Sequence, residues 1–240
     1  PQRDGAAAAI EEAVELIANA KKPIFYIGGG CINSGPRACE LVTELVSATG
    51  YPATTTIMGL GAFPSSSPQW LGMLGMHGTY ESNLAMHDCD VMVAIGARFD
   101  DRVTGRTDAF SPNSKKIHID IDPSSINKNI AVEVPIVGDV ENVVEEMLEK
   151  WKARNIKSDS NALAAWWKQI DEWRAVDCLG FEQGKGPNDE IKPQYAIKRL
   201  YELTKDMNAL VTTEVGQHQM WAAQYYHFDK PNRWMTSGGL

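Results

Sequence analysis

The sequence predicts an α/β protein with a doubly wound, mostly parallel β-sheet that carries helices on both faces. Three observations support this fold class. Segments with helical periodicity alternate with short β-rich runs, a pattern typical of parallel sheets. Two of these runs, residues 23–27 and 91–95, are continuously apolar, as strands buried on both faces are. A run of three glycines follows the first directly, and Gly96 follows the second.

The first 155 residues contain the predicted sheet. Ile10, Val14 and Ile17 recur at helical spacing, and residues 41–46 form the apolar face of a second helix. A short helix is predicted at about residues 80–86. Asp139 is predicted to cap a further helix with an apolar stripe. Five strands are predicted, at residues 23–27, 53–57, 91–95, 116–121 and 134–137.

The remaining residues are organised differently. A polar run at residues 157–161 is predicted to be a linker, and a helix containing three tryptophans follows it. Another helix is predicted near Pro193, since proline is favoured in the first helical turn. Two strands, at residues 209–213 and 233–236, are too few for an independent sheet. We therefore expect an internal piece of a longer polypeptide, with a complete domain at residues 1–155 and a truncated one at residues 156–240.

Composition excludes several classes of partner. The 240 residues include 23 Lys+Arg and 31 Asp+Glu, for a formal net charge of −8. The basic residues are scattered, whereas nucleic-acid binding needs a clustered cationic surface. No apolar run approaches the ~18 to 20 residues that span a bilayer. The cysteines show no zinc-ligand spacing, so we expect idle thiols in a reducing compartment. We expect neither a nucleic-acid nor a membrane partner.

Glycines follow the first predicted strand at Gly28, Gly29 and Gly30. Glycine lets the backbone approach a pyrophosphate and offers N–H groups to it. The nicotinamide fingerprint is incomplete, because Asn33 stands where its third glycine belongs. The second strand also ends in threonines, without the acid that would hold a ribose 2′-hydroxyl. Both a phosphate-binding loop and a tight turn without a ligand fit these residues.

Two more turns carry candidate residues. His77, in the run Gly-Met-His-Gly at residues 75–78, precedes a helix whose free N–H groups can receive an anion. This histidine fits either a hydrogen-bonded loop residue or an acid–base group. Arg98 and Arg102 follow the third strand and suit bidentate binding of a phosphate or carboxylate. A surface cluster of ion pairs with neighbouring aspartates is the alternative.

Acidic residues follow the fourth predicted strand. The carboxylates of Asp120 and Asp122 are suited to accept hydrogen bonds from ribose hydroxyls. Alternatively, Asp122 opens an Asx-type turn before a proline.

Three stretches together resemble one known family. They are Leu-Gly-Met-His-Gly at residues 74–78, the run at residues 96–105, and Val-Gly-Gln-His-Gln-Met-Trp at residues 215–221. Thr-Ser-Gly-Gly-Leu at residues 236–240 follows the third stretch in the same order and spacing. The chain resembles the large catalytic subunit of acetohydroxyacid synthase, also called acetolactate synthase. The resemblance covers essentially the whole chain and is more specific than any single glycine motif.

The resemblance implies a division into domains. Enzymes of this family have a pyrimidine-binding, a central and a pyrophosphate-binding domain, in that order. Residues 1–155 would be the central domain, which binds FAD without a net redox role. Residues 156–240 would be the first part of the pyrophosphate-binding domain of this thiamine diphosphate enzyme.

The resemblance also assigns residues. Met76 and Arg102 match positions that line the substrate channel, where an arginine suits the carboxylate of a second 2-ketoacid. The implied FAD contacts are Gly28, Gly29, Gly30, Thr56, Ile57, His77, Gly96, Arg98, Asp100, Asp120, Ile121, Gly138 and Asp139. The implied thiamine diphosphate contacts are Val215, Gly216, Gln217 and His218.

The implied reaction is decarboxylation of pyruvate and condensation of the two-carbon unit with pyruvate or 2-ketobutyrate, in branched-chain amino acid biosynthesis. The catalytic glutamate would lie in the N-terminal domain, and the ligands of Mg²⁺ beyond Leu240. No catalytic residue or metal ligand is therefore expected here. Gly138-Asp139 resembles the start of the metal motif, but the predicted helix follows at once, so we interpret it as a helix cap. The fragment alone is expected to lack synthase activity.

Other functions remain open. One is another thiamine diphosphate-dependent 2-ketoacid oxidase or decarboxylase, and another is a nicotinamide-nucleotide-binding module. A cofactor-free scaffold is a third. The family implies a homo-oligomer of the full-length subunit with a small regulatory subunit, located in the cytoplasm of a bacterium or in an organelle of a eukaryote.

Overall fold

The computed structural model of the protein describes residues 4–186 and 188–238. In its first part, strands alternate with helices. The elements are α1 (Asp4–Asn19), β1 (Pro23–Ile27), α2 (Gly29–Ser34), α3 (Pro36–Thr49), β2 (Ala53–Thr55), β3 (Trp70–Met73), α4 (Tyr80–Asp88), β4 (Val91–Ile95), α5 (Asp101–Thr104), β5 (Lys115–Asp120), β6 (Val134–Val137) and α6 (Val140–Ala153). The second part contains α7 (Ser160–Arg174), α8 (Pro193–Thr204), β7 (Val211–Thr213), α9 (Gln217–Tyr225) and β8 (Trp234–Thr236).

The six strands of the first part form one sheet in the order β3-β2-β1-β4-β5-β6. Every pairing between neighbours is parallel. The chain moves outward from β1 to β2 and β3, then returns to place β4 on the other side of β1. The sheet is therefore doubly wound with its switch point between β1 and β4, which confirms the predicted fold class.

Apolar side chains fill both faces of the sheet. Phe25, Val93 and Ile117 point to the face covered by α1, α3 and α6, where they join one buried cluster. Tyr26 and Met92 point to the other face, in a second cluster that includes residues of α4 and α7. Because β1 and β4 are buried along their whole length, they read as continuous apolar runs in the sequence.

The sequence prediction missed β3. This strand follows a Gly/Pro/Ser-rich stretch and contains Gly72, whose φ of +96° is left-handed. Its pairing with β2 also shifts register. Neither alternation nor β-propensity marks such a strand, and its place at the sheet edge is set by pairing. The second predicted strand is also shorter than expected, because Ile57 begins a 3₁₀ turn (Ile57–Gly59).

Helix α7 packs on the large sheet. Trp166 is 1% exposed, and its Nε1–H donates to the Pro23 carbonyl over 2.9 Å. Ile170 is buried in the same cluster. Asp159 caps the helix through the amides of residues 161 and 162, so the helix begins inside the predicted linker. Two buried side chains and a buried indole hydrogen bond therefore join this helix to the first part of the chain.

The small sheet of β7 and β8 is parallel and packs beside α9. Leu60 and Met73, from the loops and edge of the large sheet, share a buried cluster with Ala223, Phe228 and Trp234. This cluster connects the two parts of the chain. Along the described residues, no helix is both long and apolar enough to cross a membrane.

The packing of α7 generates a prediction about truncation. A chain that ends at residue 155 loses Trp166 and Ile170 from the core, so its free energy of unfolding should fall by about 5 kcal/mol or more. A chain that ends at residue 178 retains both side chains and should unfold in one cooperative transition. Urea unfolding of the two chains, followed by circular dichroism, makes the comparison. Equal stability of the two chains would contradict the assigned role of α7.

Candidate functional site

The predicted site residues of the first part lie at one edge of the large sheet. Parallel pairing directs the carboxyl ends of all six strands to the same edge, where open α/β sheets bind ligands. Each strand is followed by predicted site residues. They are Gly28, Gly29 and Gly30 after β1; Thr56 and Ile57 after β2; Met76 and His77 after β3; Gly96, Arg98, Asp100 and Arg102 after β4; Asp120 and Ile121 after β5; and Gly138 and Asp139 after β6.

The turns after β1 and β4 are in direct backbone contact. The amide of Gly30 donates to the Gly96 carbonyl over 3.0 Å. A Cβ added to Gly28 would lie 2.1 Å from that carbonyl oxygen, and one added to Gly30 would lie 2.6 Å from the Gly96 Cα. Gly96 itself has a φ of +60°. These glycines are therefore required by packing, whether or not a ligand is present.

Thr56 provides an unsatisfied polar group beside this contact. Its amide donates to the Ile27 carbonyl, which fixes the turn after β2 against the end of β1. Its Oγ1 is buried and has no hydrogen-bond partner among the described residues. A buried hydroxyl without a partner is unfavourable, so this atom is suited to a polar ligand at the carboxyl ends of β1 and β2. The glycine turns and this hydroxyl fit a dinucleotide such as FAD.

The loop after β4 is held by its carbonyl groups. Gly96 O accepts from the amide of Gly30, and Ala97 O lies 2.8 Å from His118 Nε2. Phe99 O accepts from the side-chain amide of Asn129 over 3.0 Å. The fourth bond, between the amide of Met76 and Arg102 O, spans 2.8 Å. Four bonds from four different segments therefore fix the path of this loop.

Phe99 directs its neighbours outward. Its φ of +52° is unusual for a residue with a side chain and costs about 1 kcal/mol. Its buried ring packs against Tyr26, Phe110 and His118, which offsets that cost. Because Phe99 points inward, the side chains of Arg98 and Asp100 are 71% and 55% exposed.

The arginines of this loop are paired with nearby aspartates. Arg98 lies 3.1 Å from Asp100, and Arg102 lies 3.9 Å from Asp101. The structure therefore shows the ion pairs of the alternative interpretation. Such exposed pairs contribute little to stability. A phosphate or carboxylate can replace the aspartate, because a bidentate guanidinium bond to an anion is stronger than an open pair.

The two predicted substrate-channel residues are neighbours. The backbone bond between Met76 and Arg102 joins the turns after β3 and β4. Both side chains are largely exposed, with Met76 63% and Arg102 72% accessible. The structure therefore places an apolar thioether and a permanent cation together at the same edge.

The acidic residues after β5 are partly committed to local bonds. Asp120 is buried and accepts from the amide of Asp122 over 2.9 Å. Asp122 accepts from the amide and hydroxyl of Ser124, and these bonds lower the pKa of its carboxyl group. Asp122 therefore forms the Asx-type turn that was one of its two interpretations. Ile121, between them, is exposed.

Asp139 caps α6, as predicted. Its Oδ1 accepts from the amide of Glu141 over 3.0 Å and from the hydroxyl of Ser34 over 2.7 Å. Gly138 donates its amide to the Asp120 carbonyl. These bonds agree with the helix-cap interpretation. In residues 4–186 and 188–238, no cluster of three or more His, Cys, Asp or Glu side chains is arranged to hold a metal ion.

The predicted thiamine diphosphate residues lie where β7 leads into α9. Val215 and Gly216 form the turn, and Gln217 and His218 begin the helix, which the sequence analysis did not predict. Gly216 has a φ of +155°, and a Cβ there would meet the His218 ring at 2.9 Å. Gly239 and Leu240, which end the matching motif, lie outside the described residues.

Sequence reasoning missed the residue that joins this turn to the end of β8. Gln219 is buried, and its Nε2 donates to Thr236 Oγ1 over 2.7 Å and to Ser237 O over 2.9 Å. Thr236 Oγ1 also lies 2.6 Å from the hydroxyl of Thr213, at the end of β7. The sequence gives no signal for this network, because its partners lie 17 and 18 residues from Gln219.

A cleft of about 170 Å³ lies between β3 and α9. Trp70 and Leu179 are among its apolar lining residues, and His77 and His227 are among its polar ones. The side-chain amide of Gln224 donates to the His77 carbonyl over 3.0 Å. This bond supports the interpretation of residue 77 as part of a hydrogen-bonded loop.

The sheet order and the glycine contact at its switch point define an α/β domain of the dinucleotide-binding type. Comparison with protein families is more specific. The family "Thiamine pyrophosphate enzyme, central domain" matches residues 10–147, and "Thiamine pyrophosphate enzyme, C-terminal TPP binding domain" matches residues 214–240. The chain belongs to the thiamine pyrophosphate enzymes.

Individual relatives agree with the resemblance found in the sequence. The chain is 47% identical over 240 residues to the acetolactate synthase isozyme 3 large subunit of Escherichia coli, covering 100% of this chain and 41% of that protein. It is 46% identical over 239 residues to the acetolactate synthase large subunit of Haemophilus influenzae, covering 100% of this chain and 40% of that protein. It is 45% identical over 231 residues to the maize protein named acetolactate synthase 2, chloroplastic, covering 96% and 35%. The chain thus spans about two fifths of the bacterial relatives, and its resemblance to this family is confirmed.

The glycine contact generates a prediction about stability. Gly28→Ala places a methyl group on the Gly96 carbonyl, so the free energy of unfolding should fall by about 3 kcal/mol. Gly238→Ala is the matched control, because a Cβ there meets no atom within 4 Å. Its effect should stay within about 0.5 kcal/mol. Urea unfolding measures both, and an unaffected Gly28 variant would contradict the described contact.

Proposed function

We propose that the protein containing this chain is the large catalytic subunit of acetolactate synthase. It would decarboxylate pyruvate and condense the two-carbon unit with pyruvate or 2-ketobutyrate. The observation that carries this proposal is the match of the whole chain, at 45–47% identity, to proteins that bear that name. Two of the matching motifs, residues 74–78 and 96–105, also lie together at one edge of the large sheet, which supports a common site for them.

We propose that FAD occupies the edge of the large sheet. The turn of Gly28, Gly29 and Gly30 would lie against its pyrophosphate, with the amide of Gly29 as the donor, because the amides of Gly28 and Gly30 already donate to Ile95 O and Gly96 O. Arg98 would exchange Asp100 for a phosphate oxygen. Thr56 Oγ1 would gain the hydrogen-bond partner that it lacks. The remaining FAD contacts would come from residues of the other turns: Ile57, His77, Gly96, Asp100, Asp120, Ile121, Gly138 and Asp139. A purely structural or scaffolding role would leave this hydroxyl unpaired.

We propose that Met76 and Arg102 face the substrates. The guanidinium of Arg102 keeps its charge at every physiological pH and can hold a 2-ketoacid carboxylate in a fork of two hydrogen bonds. Met76 offers a flexible apolar surface to the short carbon chain of the ketoacid. Their shared backbone bond keeps the two residues side by side at the sheet edge.

We propose that Val215, Gly216, Gln217 and His218 contribute to the thiamine diphosphate site. The turn before α9 presents N–H groups and two polar side chains where a diphosphate can be received. When bound, thiamine diphosphate supplies the stabilisation of negative charge on carbon that decarboxylation of a 2-ketoacid needs. Mg²⁺ would be held by residues beyond Leu240, and the chain alone would lack synthase activity.

The proposal extends to architecture and location. Residues 1–155 would form the central domain and residues 156–240 the start of the pyrophosphate-binding domain, with α7 packed back onto the central sheet. The full-length subunit would form a homo-oligomer and bind a small regulatory subunit. It would act in the cytoplasm of a bacterium or in an organelle of a eukaryote.

Calorimetric titration of the chain with FAD tests the cofactor assignment. The chain should bind FAD saturably and prefer it to NAD, and Arg98→Ala should weaken FAD binding about tenfold. Arg106→Ala is the matched control, because Arg106 lies in the same loop, is exposed, and pairs with Asp108 over 2.6 Å. It should leave the affinity unchanged. A clear preference for NAD would instead support the nicotinamide-nucleotide module.

A condensation assay on the full-length protein tests the reaction. Pyruvate should be converted to acetolactate, and Arg102→Gln should raise the KM for the ketoacid about tenfold or more, since it removes the cation. Arg106→Gln should not change it. Acetaldehyde release or oxygen consumption without acetolactate would identify a decarboxylase or an oxidase instead.

A further inference from the structure

His118 lies in β5, two residues before Asp120, and is 0% exposed. Its neighbours in the strand, Ile117 and Ile119, face the cluster of α1, α3 and α6. The imidazole faces the other side of the sheet, where it packs nearly perpendicular to the Phe99 ring with the two ring centroids 5.0 Å apart. An apolar side chain would fill such a position without leaving a polar nitrogen buried. The histidine therefore calls for an explanation in terms of its hydrogen bonds.

The bond to Ala97 fixes the proton on one nitrogen. Nε2 lies 2.8 Å from Ala97 O, and a carbonyl oxygen only accepts, so Nε2 must carry the hydrogen. Burial lowers the pKa of the imidazole, although the bond to Ala97 O and, more weakly, Asp120 at 3.8 Å oppose this effect. His118 is therefore neutral at pH 7, with a bare Nδ1 that has no partner among the described residues.

Within residues 4–186 and 188–238, this bond is the one that ties the loop after β4 to a side chain of the large sheet. Three other carbonyls of the loop accept bonds from outside it: Gly96 O from the start of α2, Arg102 O from the turn after β3 and Phe99 O from Asn129. Ala97 is two residues from Phe99, whose left-handed backbone turns Arg98 and Asp100 toward solvent. The carbonyl that this donor on β5 holds is therefore only two residues from Phe99, which lies between the charged residues Arg98 and Asp100.

We propose that His118 is a positioning residue of the site, which holds Ala97 O through Nε2–H and so presents Arg98, Asp100 and Arg102 at the sheet edge. Its effect on cofactor binding rests on the proposed function. Its effect on the loop does not, because the bond and the ring contact belong to the chain itself.

Three variants separate the hydrogen bond from the packing. His118→Phe keeps a ring against Phe99 but removes the donor. His118→Gln places an amide N–H near the position of Nε2, whereas His118→Asn places it near that of Nδ1. Hydrogen exchange of the amides of residues 103–105, which bond to Asp100 O and Asp101 O, reports on the loop. Exchange at the amides of β4 corrects for changes in global stability.

In His118→Phe, exchange at residues 103–105 should accelerate about tenfold relative to β4, because Ala97 O is left unpaired. His118→Gln should restore slow exchange and His118→Asn should not. The inference is wrong if His118→Phe exchanges as slowly as the wild type, if His118→Gln fails to restore protection, or if His118→Asn restores it equally well.

A measurement on the wild-type chain tests the inference even when a variant does not fold. Nitrogen-15 NMR of the histidine rings should show His118 as the neutral Nε2–H form at pH 7. A neutral Nδ1–H form would overturn the inference, because its Nε2 could not donate to Ala97 O.

FAD titration then separates the two proposals. If the wild type binds FAD, His118→Phe should weaken binding about tenfold and His118→Gln should restore it; equal affinity in all three chains would overturn the positioning role. If the wild type binds no FAD, the assignment of FAD to this chain is wrong. The role of His118 is then decided by the hydrogen-exchange and NMR measurements, which do not depend on FAD.

Discussion

The backbone contact between the turn after β1 and the turn after β4 is the constraint on which the site depends. The amide of Gly30 donates to Gly96 O. The two turns lie so close together that a Cβ on Gly28 would overlap the Gly96 carbonyl. The contact lies at the switch point of the sheet, where the chain leaves β1 toward β2 on one side and leaves β4 toward β5 on the other. It sets the distance between the glycine turn and the arginine-bearing loop, so these two parts of the candidate site form one unit.

The loop after β4 shows how a charged surface is built on a rigid base. Its carbonyls point inward to donors from several segments, and Phe99 is buried among aromatic rings. The side chains of Arg98 and Arg102 are consequently free to exchange partners while the backbone stays in place. A site that must accept anionic groups gains from this arrangement, because little ordering of the backbone remains to be done when a ligand binds.

The second part of the chain is attached to the first by apolar contacts. Trp166 enters the core of the large sheet, and Phe228 and Trp234 pack with Leu60 and Met73. Position in the sequence is therefore a poor guide to which sheet a helix covers. The turn before α9 is joined to the end of β8 through Gln219, so the residues assigned to thiamine diphosphate lie on a small parallel pair of strands supported by the larger sheet.

The sequence by itself determined the buried strands, the amphipathic helices and the turns with glycine and charged residues, because each has a local pattern. Periodicity revealed α1, α3 and α6, continuous apolar runs revealed β1 and β4, and Asp139 marked the start of a helix. The family was also recognisable from short motifs. Tertiary structure alone decided the edge strand β3, the packing of α7 and the bonds of His118 and Gln219. These features depend on partners that are 17 to more than 100 residues apart, and spacing along the chain carries no record of such contacts.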